Sequence, residues 1–144
     1  MSEENTMHYR LLGRTGLYVS TLCLGTMTFY GKGFWEVVGK QGQDLATEIV
    51  ARSIDAGVNF FDTADVYSFG ESETMLGKAL AGHPRDSVII ATKVRGRMSE
   101  EVNDVGLSRH HIMASVEKSL QRLDTDYIDL YQIHGFDLVT PLDE

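Results

Sequence analysis

The sequence predicts an α/β fold built on a parallel sheet, and two patterns carry that reading. Apolar runs of strand length recur at Val19–Leu24, Val58–Phe61, Val88–Ala91 and Tyr127–Ile133, with helical patterns between them. The runs are continuously apolar rather than alternating, as a parallel sheet covered by helices requires. The element order is β-α-β-α-β-α-β, which fits either a closed barrel or an open doubly wound sheet.

Each element has a local cause. Tyr9 to Tyr18 reads as a separate short hairpin turning at Gly13–Gly16, ahead of the first repeat unit. Leu45, Ile49 and Ile54 mark a first helix, and Met75, Leu76, Ala79 and Leu80 a shorter one after Ser72. In Ser108–Leu123 the residues Ile112, Val116, Leu120 and Leu123 recur at the spacing of an amphipathic stripe, with Ser108 as its N-cap. Thr140 and Pro141 read as the N-cap and first turn of a fourth helix. A doubly wound dinucleotide domain carries G-x-G-x-x-G directly after its first strand. Here Gly31 and Gly33 come late in a long loop and lack the third glycine, a weak signal for phosphate.

Composition narrows the function classes. With 144 residues and 42% hydrophobic content, residues 1–144 read as a single domain without linker or low-complexity tract. A formal charge of -8 argues against nucleic acid or an anionic membrane as partner, because both need clustered cations. The stretch from Met1 to Thr6 is neither basic nor apolar, and no run approaches the roughly 18 apolar residues of a membrane span, so a cytoplasmic protein is expected. Cys23, the single cysteine, sits in an apolar run where a small buried thiol is its expected role. His110 and His111 are helix neighbours pointing different ways, a poor metal pair, and no metal site is expected.

Chemistry-bearing residues collect at three strand ends: Asp62 after Phe61, Lys93 after Thr92 and His134 after Ile133. Parallel strands bring such ends to one face, where catalytic residues of barrels sit, and Tyr67 is five residues past Asp62, close enough to fold back over the same mouth. Singly, each has a plain alternative: a turn-capping Asp, a solvated Lys, a packed loop Tyr and a satisfied His. Jointly, those alternatives require an acid, a cation, a phenol and an imidazole to meet by accident.

Four linked motifs are similar to those of the aldo-keto reductases: Phe61-Asp-Thr-Ala-Asp-Val-Tyr67, Gly70-Glu-Ser-Glu-Thr-Met-Leu-Gly77, Ala91-Thr-Lys-Val94, and the run from Ser119 to His134. The resemblance implies a (β/α)₈ TIM barrel, present here as about its first four β/α units with the N-terminal hairpin. It implies NADP(H) as cofactor and an aldehyde or ketone reduced to an alcohol by hydride transfer. Tyr67 is then the general acid, Lys93 and Asp62 the pair that tunes it, and His134 a hydrogen-bond donor to the substrate carbonyl. A phenol is a poor acid at neutral pH, and a neighbouring ammonium favours its anion.

The resemblance further places cofactor contacts at Gly25, Thr26, Met27 and Asp62, with an ordinary turn as the alternative for the first three. Tyr30 and Trp35 lie in the long first loop, which rims the substrate mouth of a barrel, with core packing as the other reading. A closed barrel needs eight strands and about 250 residues. The remaining cofactor contacts, including basic residues for the adenosine 2′-phosphate, belong to the strands that these four units lack. Open edges at the first and fourth strands invite self-association. The alternative to an enzyme is a truncated, non-catalytic binding or assembly module of the same fold.

Overall fold

The computed structural model describes residues 6–144. Residues 1–5, the part of the chain start read above as neither basic nor apolar that comes before Thr6, lie outside the described residues. Strands β1 (Tyr9–Leu11) and β2 (Tyr18–Ser20) form the expected antiparallel hairpin, with Tyr9 opposite Ser20. Gly13 and Gly16, at φ 57° and 82°, supply the left-handed residues that the tight turn needs. The hairpin is fastened to the segment ahead of the fourth strand. Tyr9 Oη donates to the Gly57 carbonyl at 2.8 Å, and the Asn59 amide accepts from the Ser20 N–H at 2.7 Å while donating to the Tyr18 carbonyl at 3.1 Å.

Those bonds explain a departure from the sequence reading. The run Val19–Leu24 is not one strand: Val19 and Ser20 close the hairpin, the chain bends, and the parallel sheet starts only at β3 (Leu24–Gly25). Ser20 spends its N–H and hydroxyl on Asn59 and the Leu22 carbonyl rather than on a ladder. After helix α1 (Gln43–Asp55) come β4 (Phe60–Asp62), helix α2 (Glu71–Leu80), β5 (Ile89–Val94), helix α3 (Arg109–Leu123) and β6 (Leu130–Ile133). All four sheet strands are parallel, in the order β3-β4-β5-β6. Sequential parallel order with every crossover helix on one side is the start of a barrel wall, not of a doubly wound sheet.

Alternation along the strands separates two faces. Phe61, Ile90, Thr92 and Val94 are buried on the helix side, with Val50, Leu76, Ala79 and Leu123 among the helix residues of the shared core. Asp62 and Lys93 are half-buried on the opposite face, which is the barrel interior. Arg85 bolts the lower ends of β5 and β6 together, donating to the Val88 and Tyr127 carbonyls and to Asp129 Oδ2, which also accepts from the Ile90 N–H.

Two further expectations, on the buried face of α3 and on Cys23, need correction. In α3 the innermost residues are His111, Ser115 and Ser119, with Leu123, whereas Ile112, Val116 and Leu120 sit half-buried on the flank. Small polar side chains let the helix lie close to its neighbours, which hydrophobicity alone does not reveal. Ser108 does cap the helix, accepting from the His111 N–H at 3.2 Å. Residues 141–144 make a single turn, the Glu144 N–H donating to the Pro141 carbonyl, and Asp137 holds the approach to it by accepting from the Val139 N–H and the Thr140 hydroxyl. Cys23 is exposed, on the strand face opposite Leu24. Its sulfur is still partly desolvated, which pushes the thiol up to about 11, with the Asp62 carboxylate adding and Lys93 opposing. A raised pKa lowers the thiolate fraction at neutral pH, and with it the nucleophilicity of the thiol.

Helices α2 and α3 meet at Gly77, where an added Cβ would stand 2.6 Å from the Leu123 carbonyl oxygen. Backbone cannot yield as a side chain can, so Gly77→Ala is expected to destabilise the fold by about 1–3 kcal/mol through overpacking. A lowered midpoint in urea unfolding, at unchanged slope, checks it.

Candidate active site

The ammonium of Lys93 organises the mouth of the half-barrel. Its Nζ donates to Asp62 Oδ2 at 2.5 Å, to the Thr63 carbonyl at 2.8 Å and to Tyr67 Oη at 3.3 Å. A lysine has three donors, and all three are engaged. Asp62 uses its other oxygen to accept from the Gln132 amide at 3.2 Å, which ties β4 to β6 across β5. Because β4 and β5 are in register, with Asp62 opposite Ala91, Lys93 projects one pleat beyond Asp62 on the same face and reaches back to it.

Tyr67 arrives from the loop after β4. It opens a 3-10 turn (Tyr67–Gly70) in which Ser68 and Phe69 adopt left-handed φ of 49° and 56°, costly conformations for residues that carry a Cβ. Ser68 is fully buried and holds the turn to the first loop, donating to the Phe29 carbonyl and accepting from the Gly31 N–H. The Tyr67 ring packs edge-on between two aromatics, Trp35 at 5.4 Å and His134 at 5.5 Å between centroids. His134 is held below the ordinary imidazole range, by desolvation first and by the Lys93 ammonium second. It is therefore neutral at pH 7 and keeps one N–H to donate.

Asp62, Tyr67, Lys93 and His134 thus meet at one mouth, and Trp35 meets them too. Tyr30 stands apart: it has a left-handed φ of 72° and is exposed, with its N–H bonded to the Gln41 carbonyl. Gly25 borders the mouth with open space where a Cβ would be, and Met27 is exposed. Thr26 faces inward instead. Its N–H goes to the Asp62 carbonyl, its hydroxyl to Ser72 and its carbonyl accepts from Ser72, so it braces β3 against α2. Gly31 also has a structural cause, since an added Cβ would stand 1.8 Å from the Gly39 carbonyl oxygen. His110 is exposed, whereas His111 is buried beside Asp104 with 3.5 Å between Nδ1 and Oδ1. Among the described residues no group of three His, Cys, Asp or Glu side chains gathers as a metal site would.

Sequence reasoning missed the layer behind the mouth. Glu73 is fully buried and accepts from the Thr92 hydroxyl at 2.6 Å and from Arg122 Nε at 2.6 Å. The Arg122 side chain also covers Gly70, whose Cβ would meet its Cδ at 2.6 Å. Glu73 and Arg122 lie within the quoted motifs, but only a buried partner for each distinguishes them from solvated helix charges.

The model of the aldo/keto reductase family matches residues 21–144. An uncharacterized oxidoreductase of Bacillus subtilis, YrpG, is 43% identical over 148 residues, covering 96% of this chain and 43% of that protein. A probable voltage-gated potassium channel subunit beta of Oryza sativa is 40% identical over 141 residues, with 96% and 40% covered. Among solved structures, the holo form of aldo-keto reductase AKR11C1 from Bacillus halodurans superposes with a TM-score of 0.78 at 38% identity, covering 96% of this chain and 43% of that one. The chain spans less than half the length of the curated relatives it matches.

The buried ion pair is expected to be the costliest single loss in this layer. Arg122→Leu leaves the Glu73 charge uncompensated and should cost about 3–5 kcal/mol, whereas Arg122→Leu with Glu73→Leu should recover much of that loss. Urea unfolding of the two variants at pH 7 makes the comparison.

Proposed function

The chain belongs to the aldo/keto reductase family, and on that premise we propose that it serves as an NADP(H)-dependent oxidoreductase, interconverting aldehydes or ketones with alcohols. One observation carries the reading: Lys93 Nζ lies between the Asp62 carboxylate and the Tyr67 hydroxyl. In this reading Tyr67 hands its Oη proton to the substrate oxygen as negative charge develops there. The phenolate left behind is stabilised by the ammonium 3.3 Å away. Asp62 keeps that ammonium charged and in place, which an isolated lysine in a dry pocket would not be. His134, neutral beside the phenol ring, supplies a second donor that orients the carbonyl. Trp35 walls the phenol and, with the exposed Tyr30, bounds the substrate side of the mouth.

The nicotinamide, when bound, supplies the hydride. The residues present fit such a ring: Gly25 presents a surface without a Cβ at the end of β3, and Met27 and Asp62 border it. Thr26 would act only by holding that surface against α2. No helix among the described residues is long and apolar enough to cross a membrane. A small-molecule carbonyl or alcohol substrate and a cytoplasmic location complete the proposal.

A second reading, a binding or assembly module without turnover, draws support from the potassium channel subunit beta relative in rice. Two measurements separate the readings. With NADPH and an aldehyde, wild type should consume NADPH, and Tyr67→Phe should lower the rate by about 10²–10⁴. NADPH binding without consumption in wild type would favour the module. Parallel β3 and β6 are the sheet edges, and Ile133 on β6 is exposed, so the chain by itself is expected to self-associate. Sedimentation that finds a folded monomer at micromolar concentration removes that expectation.

A further inference from the structure

The Asp65 side chain is fully buried, and neither of its oxygens has a well-aligned hydrogen-bond partner among the described residues. The Tyr131 hydroxyl is also buried and has none among them. Tyr131 pairs in register with Thr92 and so shares its helix-side face, where Thr92 meets Glu73. The groups acting on Asp65 are Glu73 from α2, Arg122 from α3, Tyr131 from β6 and, more distantly, Asp104 from the loop after β5. This space holds two carboxyl groups and one guanidinium, and Arg122 Nε is committed to Glu73, whose two oxygens are both in use. A second ionised carboxylate there would be a buried like-charge neighbour with no cation of its own.

Asp65 is joined to the active site through the backbone. Its N–H donates to the Lys93 carbonyl at 3.1 Å, one step after the Thr63 N–H donates to the Ala91 carbonyl at 2.9 Å. Two residues later the chain presents Tyr67 and then passes through left-handed Ser68 and Phe69. The arm that carries the phenol therefore hangs from Asp65, and its far end at Gly70 is covered by Arg122, the cation that acts on Asp65 among the described residues.

We propose that Asp65 is a positioning residue for the Tyr67–Lys93 pair: as the uncharged acid it keeps the Tyr67 arm seated on β5, and its ionisation draws Arg122 away and loosens the arm. The positioning role rests on the functional reading above, whereas the movement of the arm does not. Burial first and Glu73 second push the Asp65 carboxyl up from 3.8 to about 7, with the neighbouring Val66 amide and Arg122 opposing. The folded state thus holds a proton that the unfolded chain releases. Its stabilising contribution is complete below about pH 4, is lost as pH rises to about 7, and does not return above that.

Trp35 is the only tryptophan and stands 5.4 Å from the Tyr67 ring, so its emission reports the seating of the arm. In wild type, emission is expected to change with a midpoint near pH 7 between about pH 5.5 and 9. Asp65→Asn, which keeps the shape without the charge, should show the low-pH emission throughout, and His134→Gln should keep the wild-type transition. A transition that survives in Asp65→Asn, or disappears in His134→Gln, overturns the proposal, as does a flat wild-type profile. Should Asp65→Asn fail to fold, amide NMR of wild type decides: Val66 and Tyr67 resonances shifting together near pH 7 support it, and constant shifts overturn it. None of these readouts needs turnover. An inactive protein with the transition removes the functional reading alone, and an active one without it removes this proposal alone.

Discussion

Everything at the mouth depends on one ammonium having three acceptors. Lys93 takes a carboxylate from β4, a carbonyl from the residue after it and a phenol from the following loop. Each acceptor offsets part of the cost of holding a charged amine away from water. The three acceptors are available together only while β4 and β5 keep their register. A slip by one residue would turn Lys93 to the helix side and bring Thr92 or Val94 into the interior. Register is held by packing on the helix side, where Phe61, Ile90 and Val94 are buried, so the apolar core and the polar site are two faces of one constraint.

Strand β5 is secured on both faces at consecutive residues. Thr92 donates into Glu73 behind the sheet, and Lys93 donates into Asp62 in front of it. Glu73 is in turn closed by Arg122, whose stem covers Gly70 at the end of the Tyr67 turn. The left-handed residues Ser68 and Phe69 need such over-determination, because isolated loops relax out of these conformations. Ser68 adds a fastening to the first loop, which is also where Trp35 originates.

Much of this was legible in the residues because strand ends are legible. An apolar run stopping at Asp62, Lys93 or His134 marks both the sheet and the side of the sheet on which function sits. Features depending on partners distant in sequence were not. Nothing in Val19–Leu24 says that Asn59, some 39 residues away from Ser20, will claim that residue for a hairpin. The buried stripe of α3, His111-Ser115-Ser119, is invisible to hydropathy, which selects Ile112, Val116 and Leu120 one position over. Cys23 looked buried because its neighbours are apolar, but alternation along the strand sets it on the open interior face. The position of Thr26 allowed either a cofactor contact or an ordinary turn, and only the structure shows its four bonds to Asp62 and Ser72.

The polar groups of the mouth are drawn from one stretch of the chain. The phenol, the ammonium, the carboxylate and the imidazole all come from Asp62 to His134, on three consecutive strands and one loop, and they reach their geometry through contacts internal to that stretch. In the proposed function, the surface offered to a nicotinamide within the described residues is the rim around Gly25, Met27 and Asp62. Interactions with the distant parts of a large cofactor bring the reacting ring to the site, whereas those at the reacting atoms lower the barrier once it is there. The geometry of the mouth is set locally, by the Lys93 hub and by the Glu73–Arg122 layer behind it.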